Sequence, residues 1–144
     1  MERKKSLKTL ITEKRLVDVL VSFLRNDNLV AREVRHYEKS IDVVAMPHEN
    51  YELNAVEVKT SNWGKAIQQA VVNLAVAEKS YIAMYEKNVH RVNLDELNQY
   101  GIGLISVGTS WGDVKVVHEA QRSSFLNKIT NSRVKELLKK RVSK

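Results

Sequence analysis

Apolar residues recur at helical spacing across residues 6–25, where Leu7, Leu10, Ile11, Val17, Leu20, Val21 and Leu24 fall on one face and Asn26-Asp27-Asn28 supplies a stop. The spacing predicts an amphipathic helix. Glu13 belongs to the row Val17, Leu20, Leu24, so its carboxylate either looks at whatever the helix packs on or snorkels to solvent from the edge of the stripe. Residues 29–37 alternate loosely, Val30, Arg32, Val34 and His36 against Ala31, Glu33, Arg35 and Tyr37, which predicts a polar-faced strand. Two more strands, 41–46 and 53–59, flank the turn-rich stretch 47–52, which holds the only proline where it breaks no ladder.

Beyond Lys59, Thr60-Ser61-Asn62 offers capping side chains for a helix over 63–78. Its apolar face is Trp63, Ala66, Ile67, Ala70, Val71 and Leu74, with Gln69 and Asn73 on one flank and Gln68 on the other. Residues 81–86 form a continuous apolar run, which reads as a strand buried on both faces and completes a βαβ unit. Asn93-Leu94-Asp95-Glu96 resembles a capping box and opens a short helix that Gly101 ends. Strands over 102–107 and 114–118 follow, and from about residue 123 a helical pattern (Phe125, Ile129, Val134, Leu137, Leu138) carries a basic outer face. There is no repeat or linker, so residues 1–144 read as a single α/β domain, a mixed sheet flanked by helices.

Charge sharpens this picture. The net charge is +7, concentrated at the ends: Arg3, Lys4, Lys5 and Lys8 open the chain, and Lys128, Arg133, Lys135, Lys139, Lys140, Arg141 and Lys144 close it. Such an excess draws polyanions, nucleic acid above all, although a merely soluble Lys-rich surface has the same composition. The basic, polar start and the lack of a long apolar run argue against a signal peptide or a membrane span, which points to a cytoplasmic protein. With no cysteine there is no thiolate metal site and no cysteine nucleophile. The four histidines are scattered without an i, i+4 pair, and neither a Gly-rich phosphate loop nor a Gly-x-Ser-x-Gly element is present.

What chemistry there is gathers in the 41–59 hairpin. Side chains alternate faces along a strand, so Glu57 and Lys59 start from the same face. If the two strands pair antiparallel around 47–52, Asp42 comes opposite Glu57 or one residue off. Two carboxylates packed together repel, so one protonates or a cation joins them; Mg²⁺ prefers such oxygen ligands, keeps several waters and often shares its shell with phosphate oxygens. Lys59 could orient a metal-bound water or hold a phosphate, and Glu13 could complete the shell. Glu57 and Lys59 alone fit a surface ion pair equally well.

Asp42, a spacer of fourteen residues and then Glu57-Val58-Lys59, preceded by a helix with Glu13 and followed by one with Trp63 and Gln69, resembles the PD-(D/E)xK nuclease superfamily, over roughly residues 13–107. The run from Glu57 through Trp63 into Ala66-Ile67-Gln68-Gln69-Ala70 is similar to small prokaryotic members. The resemblance implies a restriction-endonuclease-like three-layer core and a deoxyribonuclease using Mg²⁺, with Mn²⁺ as a substitute, in DNA repair, recombination or defence. By it Asp42 and Glu57 are metal ligands, Lys59 positions the water, Glu13 is an accessory acid that joins the metal set, and Gln69 contacts the site or the DNA backbone. Ile41 stands where the motif name has proline, and Asn73 stands one turn after Gln69, where some members carry tyrosine. DNA is the partner so implied, and a homodimer is expected for a small nuclease that must cut both strands. Two other readings stay open: a catalytically silent module that binds nucleic acid or protein, and an interaction subunit docking through Val134, Leu137 and Leu138 of the C-terminal helix.

Overall fold

The computed structural model describes residues 11–142. Helix α1 (Glu13–Leu24) leads into strands β1 (Asn28–His36), β2 (Lys39–Pro47) and β3 (Asn54–Lys59). Helix α2 (Trp63–Val72), strand β4 (Lys79–Tyr85), helix α3 (Leu94–Tyr100), strands β5 (Gly103–Val107) and β6 (Val114–His118), and helix α4 (Lys128–Val142) follow. Among the described residues the six strands form one sheet in sequential order, with β3, β4 and β5 parallel and the other neighbours antiparallel. The fold is α/β with a mixed sheet between helices, in the order the hydrophobic pattern predicts.

Alternation along the strands separates two apolar faces. On one, Val43 and Ala45 of β2, Val56 and Val58 of β3, and Ala83 and Tyr85 of β4 pack under Leu16, Val19 and Leu20 of α1. The other face is split. Val34, Val44 and Met46 meet Val134 and Leu138 of α4, while Ile82, Met84 and Leu104 meet Ala66, Ile67 and Ala70 of α2 and Leu97 of α3. On β3, Ala55 belongs to the α4 cluster and Glu57, two residues on, lies where the two clusters separate. The result is three layers with a polar seam in the lower interface.

Four expectations are corrected. Helix α1 begins at Glu13, where the Thr12 side chain accepts from Arg15 N–H, and its buried stripe is Leu16, Val19, Leu20 and Val21, with Val17 and Leu24 only half-buried. Leu7, Leu10 and the basic residues Arg3, Lys4, Lys5, Lys8 and Lys144 lie outside the described residues. Helix α2 stops at Val72 rather than running to Glu78, and a 3-10 turn (Asn73–Ala75) takes over. Its exit is held from outside: the carbonyl of Leu74 accepts from Ser123 Oγ, that of Ala75 from Asn127 N–H and that of Val76 from Asn131 Nδ2. The C-terminal helix starts at Lys128, not 123, because Asn127 caps it by accepting from the N–H groups of Ile129 and Thr130.

The fourth correction concerns docking. Val134 and Leu138 are fully buried inside the chain's own core, so two of the three side chains expected to meet a partner are already used; the third, Leu137, stays exposed, as do Phe125 and Ile129. The remaining elements match their patterns. Asn93 Oδ1 accepts from Asp95 and Glu96 N–H, and Gly101 closes α3 at φ +73°, a left-handed cap that glycine adopts without strain. No helix among the described residues is long and apolar enough to cross a membrane.

Candidate active site at the fork between two strands

Strand β2 carries the site's first acid at a point where it loses both neighbours. Pairing with β3 runs from Ala45–Asn54 to Val43–Val56, and continuing that register sets Asp42 against Glu57. The ladder ends before that step. Pairing with β1 likewise skips from Arg32–Val43 to Val34–Ile41, and Glu33, opposite Asp42, has φ +49°, a left-handed backbone unusual for a residue with a side chain. The Asp42 carboxylate fills part of the gap itself: Val58 N–H donates to Asp42 Oδ2 at 2.8 Å. A side chain thus takes over a ladder bond, and the sheet forks around it.

Glu57 is the second acid. Its neighbours Val56 and Val58 point to the α1 face, which leaves Glu57 on the face covered by α2, at 1% exposure. Asn73 Nδ2 donates to Glu57 Oε2 at 3.0 Å, while Oε1 is buried without a partner. Burial, reinforced by the nearby Asp42 charge and opposed by the Asn73 bond, pushes the Glu57 carboxyl up to about 7. Beside it lies a cavity of about 390 Å³ lined by Lys39, Ser40, Glu57, Gln68, Gln69, Val72 and Asn73. The amide oxygen of Gln69 is also buried and unpartnered, so two acceptors without donors sit around one cavity.

On the opposite side of the fork a recess of about 310 Å³ is lined by Glu13, Lys14, Val17, Arg32, Glu33 and Asp42. Lys59, the last residue of β3, sends its ammonium toward the first turn of α1, where it lies 3.8 Å from Glu13 Oε2. Glu13 is half-exposed, at 49% for its side chain, and so sits at the rim rather than at the end of a buried row. Among the described residues no group of three or more Asp, Glu or His is placed to hold a metal ion. Asp42 and Glu57 therefore come together, while Glu13 faces Lys59 instead of joining them.

The donors that do converge suit a hard divalent cation. Both are carboxylates, one with a buried oxygen that nothing satisfies and a proton affinity raised by burial and then by its neighbour's charge, and a positive ion between them would relieve both the orphaned oxygen and the raised affinity. Asn73, placed by the sequence on a helical flank and as a departure from a tyrosine pattern but given no role at the site, donates to Glu57 and orients it. Its signal was the shared helical flank with Gln69. Glu33 has no such signal, because a left-handed glutamate inside a strand is dictated by its surroundings.

No protein-family profile matches the chain, and no curated protein matches it. A solved protein of unknown function from Silicibacter pomeroyi superposes with a TM-score of 0.71 at 17% identity, over 94% of this chain and 88% of that one. At that identity the likeness concerns the fold.

Proposed function

We propose that the chain is a Mg²⁺-dependent deoxyribonuclease of the PD-(D/E)xK type, with a restriction-endonuclease-like core. The observation that carries the proposal is the approach of Asp42 and Glu57 at the fork, with Glu57 Oε1 buried, unpartnered and hard to ionise without a cation. Asp42 and Glu57 would hold the ion. When bound, it would lower the pKa of a water and stabilise charge on a phosphoryl oxygen. Lys59, two residues after Glu57 and 3.8 Å from Glu13 Oε2, would use its ammonium to meet a phosphate or orient a water, with Glu13 holding its direction. Gln69 presents its amide oxygen to the cavity beside Glu57. Asn73 keeps Glu57 aimed from behind. The net charge of +7 supports a polyanionic substrate.

The test is cleavage of linear, nicked, single-stranded, flapped and four-way DNA with Mg²⁺ or Mn²⁺, comparing the wild type with Asp42→Asn, Glu57→Gln and Lys59→Ala. Each variant is expected to lose cleavage by at least about a hundredfold while keeping its fold and its DNA affinity. Activity that persists in Glu57→Gln would defeat the assignment.

A second reading, a catalytically silent nuclease fold that binds nucleic acid or protein, draws on the lack of a third acid beside Asp42 and Glu57 among the described residues and on the capture of Lys59 by Glu13. Calorimetric titration separates the two: Mg²⁺ or Mn²⁺ binding that Glu57→Gln removes favours the enzyme, and salt-dependent DNA binding without any metal uptake favours the silent module.

A further inference from the structure

The outer edge of the sheet carries a second feature that the fork does not use. Along β1 lies a cleft of about 600 Å³ whose polar lining is Arg25, Asn28, Arg32, His48 and Arg141, with no carboxylate among its walls. Separate parts of the chain deliver these groups: Arg25 caps the end of α1, Arg32 lies in β1, His48 begins the turn after β2, and Arg141 belongs to the last turn of α4. Local bonds fix several of them on the edge. His48 N–H donates to the Asp27 carbonyl at 3.3 Å, Arg141 donates to the Arg32 carbonyl at 2.9 Å, and Arg32 is braced by Asp18 at 2.6 Å. The backbone N–H of Arg25 donates to the Val21 carbonyl at 3.0 Å, while its guanidinium pairs with none of the described residues and is open to an anion.

Arg32 also lines the recess that holds Asp42, Glu33 and Glu13, so the basic cleft and the fork share a wall. Resting on the nuclease reading above, we infer that a nucleic-acid strand passing the fork continues along the free edge of β1, with its phosphates held by Arg25, Arg32 and Arg141. Charge complementarity and continuity with the carboxylate recess carry the inference. Cations spread along a cleft without acids release counterions from a polyanion, and a cleft of this size accommodates a stretch of backbone rather than a lone ion. Phosphate contacts of this kind position the strand without reading its bases.

The experiment separates binding from cleavage by working in Glu57→Gln without divalent ions. In that background Arg25→Gln, Arg141→Gln and the pair are compared for affinity toward labelled duplex and single-stranded oligonucleotides of two sequences, across a salt series. Each exposed arginine removed is expected to weaken binding alike for both sequences and to flatten the slope of log affinity against log salt by about 1, and the pair by about 2. Arg25→Glu, a change at an exposed position, should weaken binding further. Unchanged affinity and slope in the double variant overturn the track, and leave the β1 edge to a protein strand instead. Loss of binding in these variants alongside a wild type that cuts no DNA defeats the nuclease reading while leaving the basic edge as a nucleic-acid surface.

Discussion

Glu57 illustrates how one side chain can be stabilising in one protonation state and destabilising in the other. The folded protein holds its proton more tightly than the unfolded chain, with the carboxyl raised from 4.5 to about 7 by burial and then by Asp42. Between those values the folded state therefore binds more protons, so stability is full at acid pH and falls as pH rises through the window, by about 3 kcal/mol in all. Chemical denaturation without divalent ions should show this slope in the wild type and lose it in Glu57→Gln, where the opposite, rising contribution of His36, an imidazole that burial holds below its ordinary value, is left; Glu57→Gln becomes the more stable protein near pH 8. Added Mg²⁺ should then stabilise the wild type and leave Glu57→Gln unchanged, by about 2.7 kcal/mol at a hundred times the dissociation constant. Asn73→Ala removes the side-chain donor that favours the charged form, so the pH at which cleavage switches on should move upward and folding should weaken by about 1–3 kcal/mol. Alternation and hairpin spacing were enough to bring Asp42 and Glu57 together from the sequence. They could not place Glu13, because one position of rotation in α1 turns the buried stripe toward Leu16 and Val19 and leaves Glu13 at the rim.

At the scale of elements, the patterns that read well were those in which a single periodicity governs the whole segment. The doubly buried β4, the capped α3 and the hairpin strands are of that kind. The ends of α2 and α4 read badly because tertiary bonds decide them: a helical pattern continues past Val72 in sequence, but the carbonyls beyond it are claimed by Ser123, Asn127 and Asn131. The 3-10 turn at Glu86–Arg91 carried no periodicity to detect. Glu78 is the knot of this region. Its carboxylate accepts from Leu53 N–H at 2.7 Å, Asn131 Nδ2 at 3.1 Å and Lys135 Nζ at 2.8 Å, tying β3 and β4 to α4. Burial opposes its charge, but Lys135 and these donors outweigh it and hold the carboxyl below its ordinary range, so its contribution is present at neutral pH and lost on acidification, opposite in sign to Glu57. Glu78→Ala strands a partly buried lysine and a buried N–H, and a loss of about 3 kcal/mol is expected in a urea titration at neutral pH.

For the whole molecule, α1 covers one face of the sheet while α2, α3 and α4 share the other, and the fork opens where β2 parts from β3 between them. The order of elements was sufficient to predict this layering, since a βαβ unit behind a hairpin leaves few ways to cover a sheet. The net charge of +7 gives no hint that three arginines from distant segments collect along one edge, because that depends on where chain segments far apart in sequence meet. The borrowed bonds at the exit of α2 bear on how this protein would respond to deletion mapping. Every residue of the fork lies before position 74, which suggests that a fragment ending after β6 should suffice. Such a fragment would keep all of those groups and still lose Ser123, Asn127 and Asn131, along with Val134 and Leu138 from the core. It is expected to bind no Mg²⁺ in calorimetry and to show a broadened, weakened unfolding transition. The smallest working unit therefore extends well past the last group at the fork, and a shortened chain that fails would be reporting on the anchor of a helix rather than on a missing reagent.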